Sequence, residues 1–260
     1  MDKRFAPAFG LAVTLLILAV GCGTSSNYGG SSNGGGGGTN YTGEAQGVYS
    51  GTASSGYSFS TIVLPNDKFY GIYGTTTGNL FYVYGMVAGQ GTSGNGTFTG
   101  QMTDYFYTGQ TITDTLTATD VPGSSVSGSF TENGMPITFN GTALATTSFN
   151  YNTAASVSGI SGTWTGTLLD GTASTVTINS DGSVNGSNLG CSFSGTVAAD
   201  TSGKNFYNVS LTFGASPCLF PNQTATGVGV YYLLSDGATH QLLAGVTYGN
   251  TAGTVFFAQR

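Results

Sequence analysis

Few side chains in this sequence could carry chemistry. The 260 residues hold one histidine, His240, and three cysteines, Cys22, Cys191 and Cys218. A zinc site or a histidine-based triad needs more than one histidine can supply, so His240 reads as a strand residue. Asp104, Asp114 and Asp120 could pair as acid and base, as glycoside hydrolysis requires. Nothing in the sequence sets their separation, and they read as exposed carboxylates at turns or strand ends. Gly89-Gln90-Gly91-Thr92-Ser93-Gly94 has the spacing of a dinucleotide-binding loop, but that motif works only ahead of a helix. Here Thr97, Phe98 and Thr99 read as strand. No Gly-x-Ser-x-Gly nucleophile elbow occurs. The reading is therefore of a protein that is not an enzyme, with no metal site and no cofactor. The remaining enrichment is aromatic, from Tyr57 to Tyr107. Tyrosine joins a large contact area to a polar tip, which suits pockets and interfaces. Tyr57, Tyr73, Tyr82 and Tyr84, with the single tryptophan Trp164, are the candidate ligand or interface residues. Ordinary strand packing is the competing explanation.

The elements that would position these residues are β throughout. Runs of Thr, Val, Tyr and Phe are broken by Gly, Asn-Gly and Asp-Gly, with no useful helical period. Asn95-Gly96, Asn133-Gly134, Asn140-Gly141, Asp170-Gly171, Asp181-Gly182 and Asp236-Gly237 are hairpin-turn candidates, because Asn, Asp and Gly tolerate positive φ. An internal repeat organises the chain. GVYSGT at 47–52 matches GTWTGT at 162–167, and STIVLPND at 60–67 matches STVTINSD at 174–181. Each copy divides into about eight strands. The predicted fold is all-β: two tandem antiparallel up-and-down β-barrels of about eight strands each, over 43–143 and 158–260, joined by a linker at 144–157. Closure removes free sheet edges. In 80–87, alternation places Leu80, Tyr82, Tyr84 and Met86 on one face and Phe81, Val83 and Val87 on the other. Large residues on both faces predict that this strand is covered twice, the second time by the other domain. Phe193, Phe206, Val209, Leu211 and Phe213 are further core candidates.

Charge is sparse, at 6% of residues against roughly 25% in ordinary globular proteins. From residue 22 onward the basic residues are only Lys68, Lys204 and Arg260. Three cations make no basic patch, which excludes a nucleic-acid partner.

The N-terminus supplies an address. Lys3 and Arg4 precede an apolar run from Leu11 to Val20 that is too short to span a bilayer but fits the core of a secretion signal. The run ends in Ala19-Val20-Gly21-Cys22, which resembles the lipobox of bacterial lipoproteins. That resemblance implies a signal peptide at 1–21 and a lipidated Cys22 (palmitate or a similar acyl group). It also implies anchorage to a membrane, and Gly23 after the cysteine favours the outer membrane. Residues 23–42 are almost all Gly, Ser, Thr and Asn, with Gly34 to Gly38 consecutive. Such a stretch buries too little apolar area to order itself and predicts a flexible tether with a reach of roughly 25 Å. With Cys22 assigned to the lipid, Cys191 and Cys218 become a disulfide pair in an oxidising compartment. A two-thiol metal site is the alternative, and no histidine lies nearby.

Two further resemblances bear on the barrels. Gly162-Thr163-Trp164 resembles the Gly-x-Trp that opens the first strand of lipocalin and avidin-like barrels. It implies that Trp164 plugs one barrel end, that Arg260 packs on it, and that the barrel is a cup for a small apolar molecule. In the first copy Tyr49 takes the Trp position. A lipidated Cys22, a Gly34–Gly38 tether and eight-stranded barrels also resemble the layout of transferrin-binding-protein-type surface lipoproteins. The function read from all this is that of a non-enzymatic, lipid-anchored envelope protein. It binds a small apolar ligand or a protein partner, in the periplasm or at the cell surface. A structural envelope component without a dedicated ligand is the alternative.

Overall fold

A computed structural model describes residues 43–77, 80–132, 134–147, 149–234 and 237–260. The signal segment, Cys22 and the glycine-rich tether lie outside the described residues. The chain forms two closed antiparallel barrels with consecutive strands adjacent throughout. The first comprises β1 (Gly47–Ala53), β2 (Ser58–Val63), β3 (Lys68–Thr77), β4 (Leu80–Gly94), β5 (Thr97–Phe106), β6 (Thr111–Val121), β7 (Ser125–Glu132) and β8 (Met135–Ala143). After a single helical turn, α1 (Val157–Ile160), come β9 (Gly162–Leu168), β10 (Ala173–Ile178), β11 (Ser183–Asn188) and β12 (Cys191–Ala199). The second barrel is completed by β13 (Tyr207–Phe213), β14 (Thr224–Leu233), β15 (His240–Tyr248) and β16 (Ala252–Gln259). The all-β, two-barrel expectation is met.

The alternating sequence works by sending Thr and Ser outward and Val, Leu, Phe and Met inward, as β6 shows with Leu116, Ala118 and Asp120 buried between exposed threonines. Turn chemistry follows in part. Asn95 and Gly96 both take positive φ, 56° and 72°, and reverse the chain between β4 and β5. Asn140-Gly141 does not turn. It lies inside β8, where Gly141 pairs with Gly51 to close the barrel. A Cβ on Gly51 would come within 1.8 Å of the Asn140 carbonyl oxygen, so the closing strands meet too closely there for any side chain.

The repeated hexapeptide builds the same device twice. Gly166, the counterpart of Gly51, would place a Cβ 1.9 Å from the Phe257 carbonyl oxygen at the second closure. Tyr49 is fully buried and its hydroxyl donates to the Ala45 carbonyl at 3.0 Å. Trp164 is 1% exposed and its Nε1–H donates to the Ile160 carbonyl at 2.7 Å. In each barrel an aromatic on the first strand thus plugs one end and ties back to a carbonyl four residues earlier. The Arg260 guanidinium lies 4.0 Å from the Trp164 ring centroid and donates to the carbonyls of Ser161 and Gly159. This is the packing that the lipocalin-like resemblance implies.

The barrels join along their outer walls. Simple alternation in 80–87 fails because the β3–β4 register shifts at Tyr73/Gly74. Tyr73 faces Gly85 and Gly74 faces Val83, so Tyr84 is the extra residue of a bulge. Met86 therefore joins Phe81 and Val83 on one face instead of following Tyr82 and Tyr84. That face packs on Val255, Phe257 and Leu243 of the second barrel, so β4 is indeed covered twice. Gly245 and Gly253 let the walls close up: a Cβ on either would sit 2.8 Å from Met86 side-chain atoms. The Tyr105 hydroxyl adds a hydrogen bond of 2.6 Å to the Gly249 carbonyl. A second apolar cluster lies along the linker, where Phe149 and Tyr151 pack with Ile62, Leu64, Phe206 and Val228.

Cys191 and Cys218 form a disulfide, S–S 2.06 Å. Cys191 opens β12, and Cys218 lies in the loop that follows its partner strand β13, so antiparallel pairing brings the two together. The thiol metal-site alternative is thereby set aside.

Candidate functional site

The interior of the first barrel is not a wide cup. Its cavity holds about 120 Å³, and that of the second about 80 Å³. Rings account for the difference from a hollow barrel. Phe69 and Phe98 meet edge-on at 5.8 Å, Phe59 and Phe139 at 5.9 Å, and Phe193 and Phe213 pack at 5.3 Å. Ligand pockets commonly measure about 300–1,000 Å³, so neither interior takes a sizeable molecule whole.

A third cavity, larger than either barrel interior, is a seam rather than a barrel. About 440 Å³ lies between the outer walls of the two barrels. It is lined by Ile62, Ile72, Phe149, Val230, Leu243 and Val255 among others, with Tyr70 and Tyr232 also on its lining. It separates the two apolar contact clusters described above. Burial holds the Tyr70 and Tyr232 hydroxyls well above the usual phenol range, so both remain neutral donors at ordinary pH. Sequence reasoning missed this cleft. Its walls come from strands of two different barrels and from the linker, and the only local signal was the two-sided apolarity of 80–87.

The predicted tyrosines divide. Tyr57, Tyr73 and Tyr84 converge at the open end of the first barrel, opposite the Tyr49 plug. Tyr57 lies 5.6 Å from Tyr73 and 5.5 Å from Tyr84, and Tyr84 lies 6.3 Å from Tyr107. The Tyr84 bulge is what brings its ring into this group. Among the described residues, Tyr82 makes no ring contact with them; it pairs with Thr75 further along β4. Trp164 is remote from this group, sealed in the second barrel. His240 begins β15 and stacks on Tyr231 at 5.0 Å.

The aspartates differ from expectation. Asp104 and Asp120 are 6% and 4% exposed, and both face the first-barrel interior, because β5 and β6 keep their inward alternation up to the rims. They occupy opposite ends, which separates them as a pair. Neither oxygen of Asp120 has a hydrogen-bond partner among the described residues. At the mouth, the Tyr73 hydroxyl donates to Asp104, 2.9 Å to Oδ2 and 3.0 Å to Oδ1. Glu132 lines the same cavity. Gly89-Gln90-Gly91-Thr92-Ser93-Gly94 lies wholly within β4, where the Ser93 N–H and hydroxyl donate to the buried Asp67 carboxylate.

Burial pushes the Asp104 carboxyl up to about 7; the Tyr73 hydrogen bond opposes the rise, while Glu132 and Asp114 add to it. An unfolded aspartate titrates near pH 3.9. The folded group binds its proton more tightly, so its contribution to stability is complete below about pH 4 and is lost as pH rises through 7. Urea denaturation should show stability falling across that window by at most about 1.4 kcal/mol per pH unit. Asp104→Asn should flatten most of this slope. A residue of it remains from Asp120, whose carboxyl is also raised by burial and by Glu44 and Asp67. A slope unchanged in the variant would locate its origin elsewhere.

No family model matches the chain, and no curated protein matches it. Among solved structures, it is similar to isotype 1 transferrin-binding protein B of serogroup B Neisseria meningitidis, with a TM-score of 0.27 and 8% identity over 78% of this chain. The chain spans 65% of the length of that protein. It is also similar to a protein of unknown function from the DUF3598 family of Nostoc punctiforme, with a TM-score of 0.27 and 13% identity, covering 85% of this chain and 99% of the other. Likeness of this degree identifies neither a family nor a ligand.

Proposed function

We propose that this chain is a non-enzymatic binding protein of the bacterial envelope, anchored at the outer membrane through lipid on Cys22. Its ligand is a small apolar molecule, held in the cleft between the barrels. The observation that carries this reading is volume. The cleft, at about 440 Å³, is the one of the three cavities in the range of ligand pockets. Its walls are mostly aliphatic or aromatic, with Ser60, Thr61 and Thr147 among them, and the Tyr70 and Tyr232 hydroxyls offer a polar handle with which to orient a ligand. Rigid barrels on either side keep the walls apart, because the Met86 and Phe149 clusters fix the spacing at both ends of the gap.

The test has two arms. Changing Cys22 to Ser should release the chain from the membrane or block its cleavage, and a variant that is cut normally yet stays on the membrane would contradict lipid anchorage. The soluble variant should then enhance the fluorescence of an apolar probe, N-phenyl-1-naphthylamine. Adding Val230→Trp, which fills the half-buried centre of the cleft, should weaken that binding roughly tenfold or more. Probe binding that ignores the filled cleft would rule this site out. A cleft that takes no probe would favour a purely structural envelope role.

A further inference from the structure

We propose that the mouth of the first barrel is a second, separate site, for an organic ammonium ion that carries a compact apolar or aromatic group. It shares a wall with the inter-barrel cleft, formed by Ser60, Thr61, Gly71 and Ile72, but opens at the barrel end.

Three features converge there. The first is a buried acceptor in need of a cation. A carboxylate offers about four lone-pair positions, yet Asp104 receives one O–H from Tyr73, shared between its two oxygens. A buried carboxylate is costly unless a counter-charge or several donors reach it. Among the described residues the chain provides no counter-charge there. Its basic and imidazole side chains among the described residues are Lys68, Lys204, His240 and Arg260. None lines this cavity, and Lys204 and Arg260 are engaged elsewhere, with Asn152 and Trp164 respectively. Glu132 on the same lining deepens the negative potential.

The second feature is aromatic. Tyr57 and Tyr73 line the cavity together with that carboxylate, their centroids 5.6 Å apart, and Tyr84 backs Tyr57 at 5.5 Å. A cation within about 6 Å of such a face is attracted by the ring quadrupole. Faces and carboxylate together select a positively charged nitrogen. They give a metal ion little, since Asp104 and Glu132 are too few for an oxygen cage.

The third is shape. Past Asp104 the cavity continues to Val87, Met102 and Leu116, and its whole volume, rim included, is about 120 Å³. An apolar void of about 150 Å³ admits benzene, so this one takes a group no larger than that. The ligand therefore has a charged head at the rim and a short apolar body pointing inward, with no place for a long chain.

Isothermal titration calorimetry of the full-length Cys22→Ser chain near pH 8, where Asp104 is ionised, tests this with benzylammonium and its neutral isostere benzyl alcohol. Benzylammonium should bind, and benzyl alcohol should bind roughly tenfold or more weakly. Asp104→Asn should lose roughly tenfold in benzylammonium affinity, and Tyr57→Leu several-fold. Should Asp104→Asn fail to fold, the rim variant Glu132→Gln should still show a several-fold loss. Equal affinity for the two probes, no heat from benzylammonium, or unchanged affinity in a folded Asp104→Asn or Glu132→Gln variant would each overturn the proposal.

Discussion

Replacing Trp164 by alanine is expected to destabilise the protein by about 3–5 kcal/mol, the largest effect of any single substitution considered. The indole is 1% exposed and its removal leaves a cavity at the plugged end of the second barrel. It also takes away the hydrogen bond to the Ile160 carbonyl and leaves Arg260 stacked on nothing. The Tyr231 ring, edge-on at 6.1 Å, loses this contact as well. Because Trp164 is the single tryptophan, the loss should be read from urea titrations followed by far-ultraviolet circular dichroism. The two barrels share an apolar seam, so the transition should shift as a whole rather than split. A shift worth less than about 1 kcal/mol would mean that the indole is not the plug its burial implies.

The second large effect belongs to the disulfide. Cys191 and Cys218 are 27 residues apart, and releasing a loop of that length returns roughly 3–4 kcal/mol of chain entropy to the unfolded state. The double variant Cys191→Ala/Cys218→Ala should melt at correspondingly lower urea, and dithiothreitol should lower the parent chain towards it while leaving the variant unchanged. A parent chain indifferent to reductant in its unfolded reference would show that the bridge contributes nothing. Phe220, just beyond Cys218, is buried 4.8 Å from Phe213. Some packing is therefore lost along with the constraint.

Much of the architecture was legible in the sequence for a simple reason. Period-two alternation and turn residues are local signals, and a closed meander uses only local pairings. Thr115 and Thr117 around Leu116 announce β6 without reference to anything distant. Features that depend on register were not legible. The bulge at Tyr84 inserts one residue and inverts every side chain beyond it, so Met86 moved to the other face. Asn140-Gly141 has the composition of a turn, but its glycine serves a close approach between β1 and β8, which only the closed barrel reveals. For the candidate sites, tyrosine enrichment pointed to the right region. It could not separate Tyr57, Tyr73 and Tyr84 from Tyr82, nor show that Asp104 lies among them. Strand ends usually put carboxylates in water, and here the inward alternation of β5 persists to the rim. The cleft between the barrels was beyond any reading of single strands, because each wall looks like an ordinary outer face until the other barrel arrives.

The plug at Tyr49 has a geometric consequence. The chain reaches the first barrel at Gly43 and Ala45, beside that plugged end, while the tyrosine mouth opens at the opposite end. Under the proposed anchorage the leash is tied at the sealed base, so the rim is the end of the barrel that no chain connection crowds, and it stays open to whatever diffuses past.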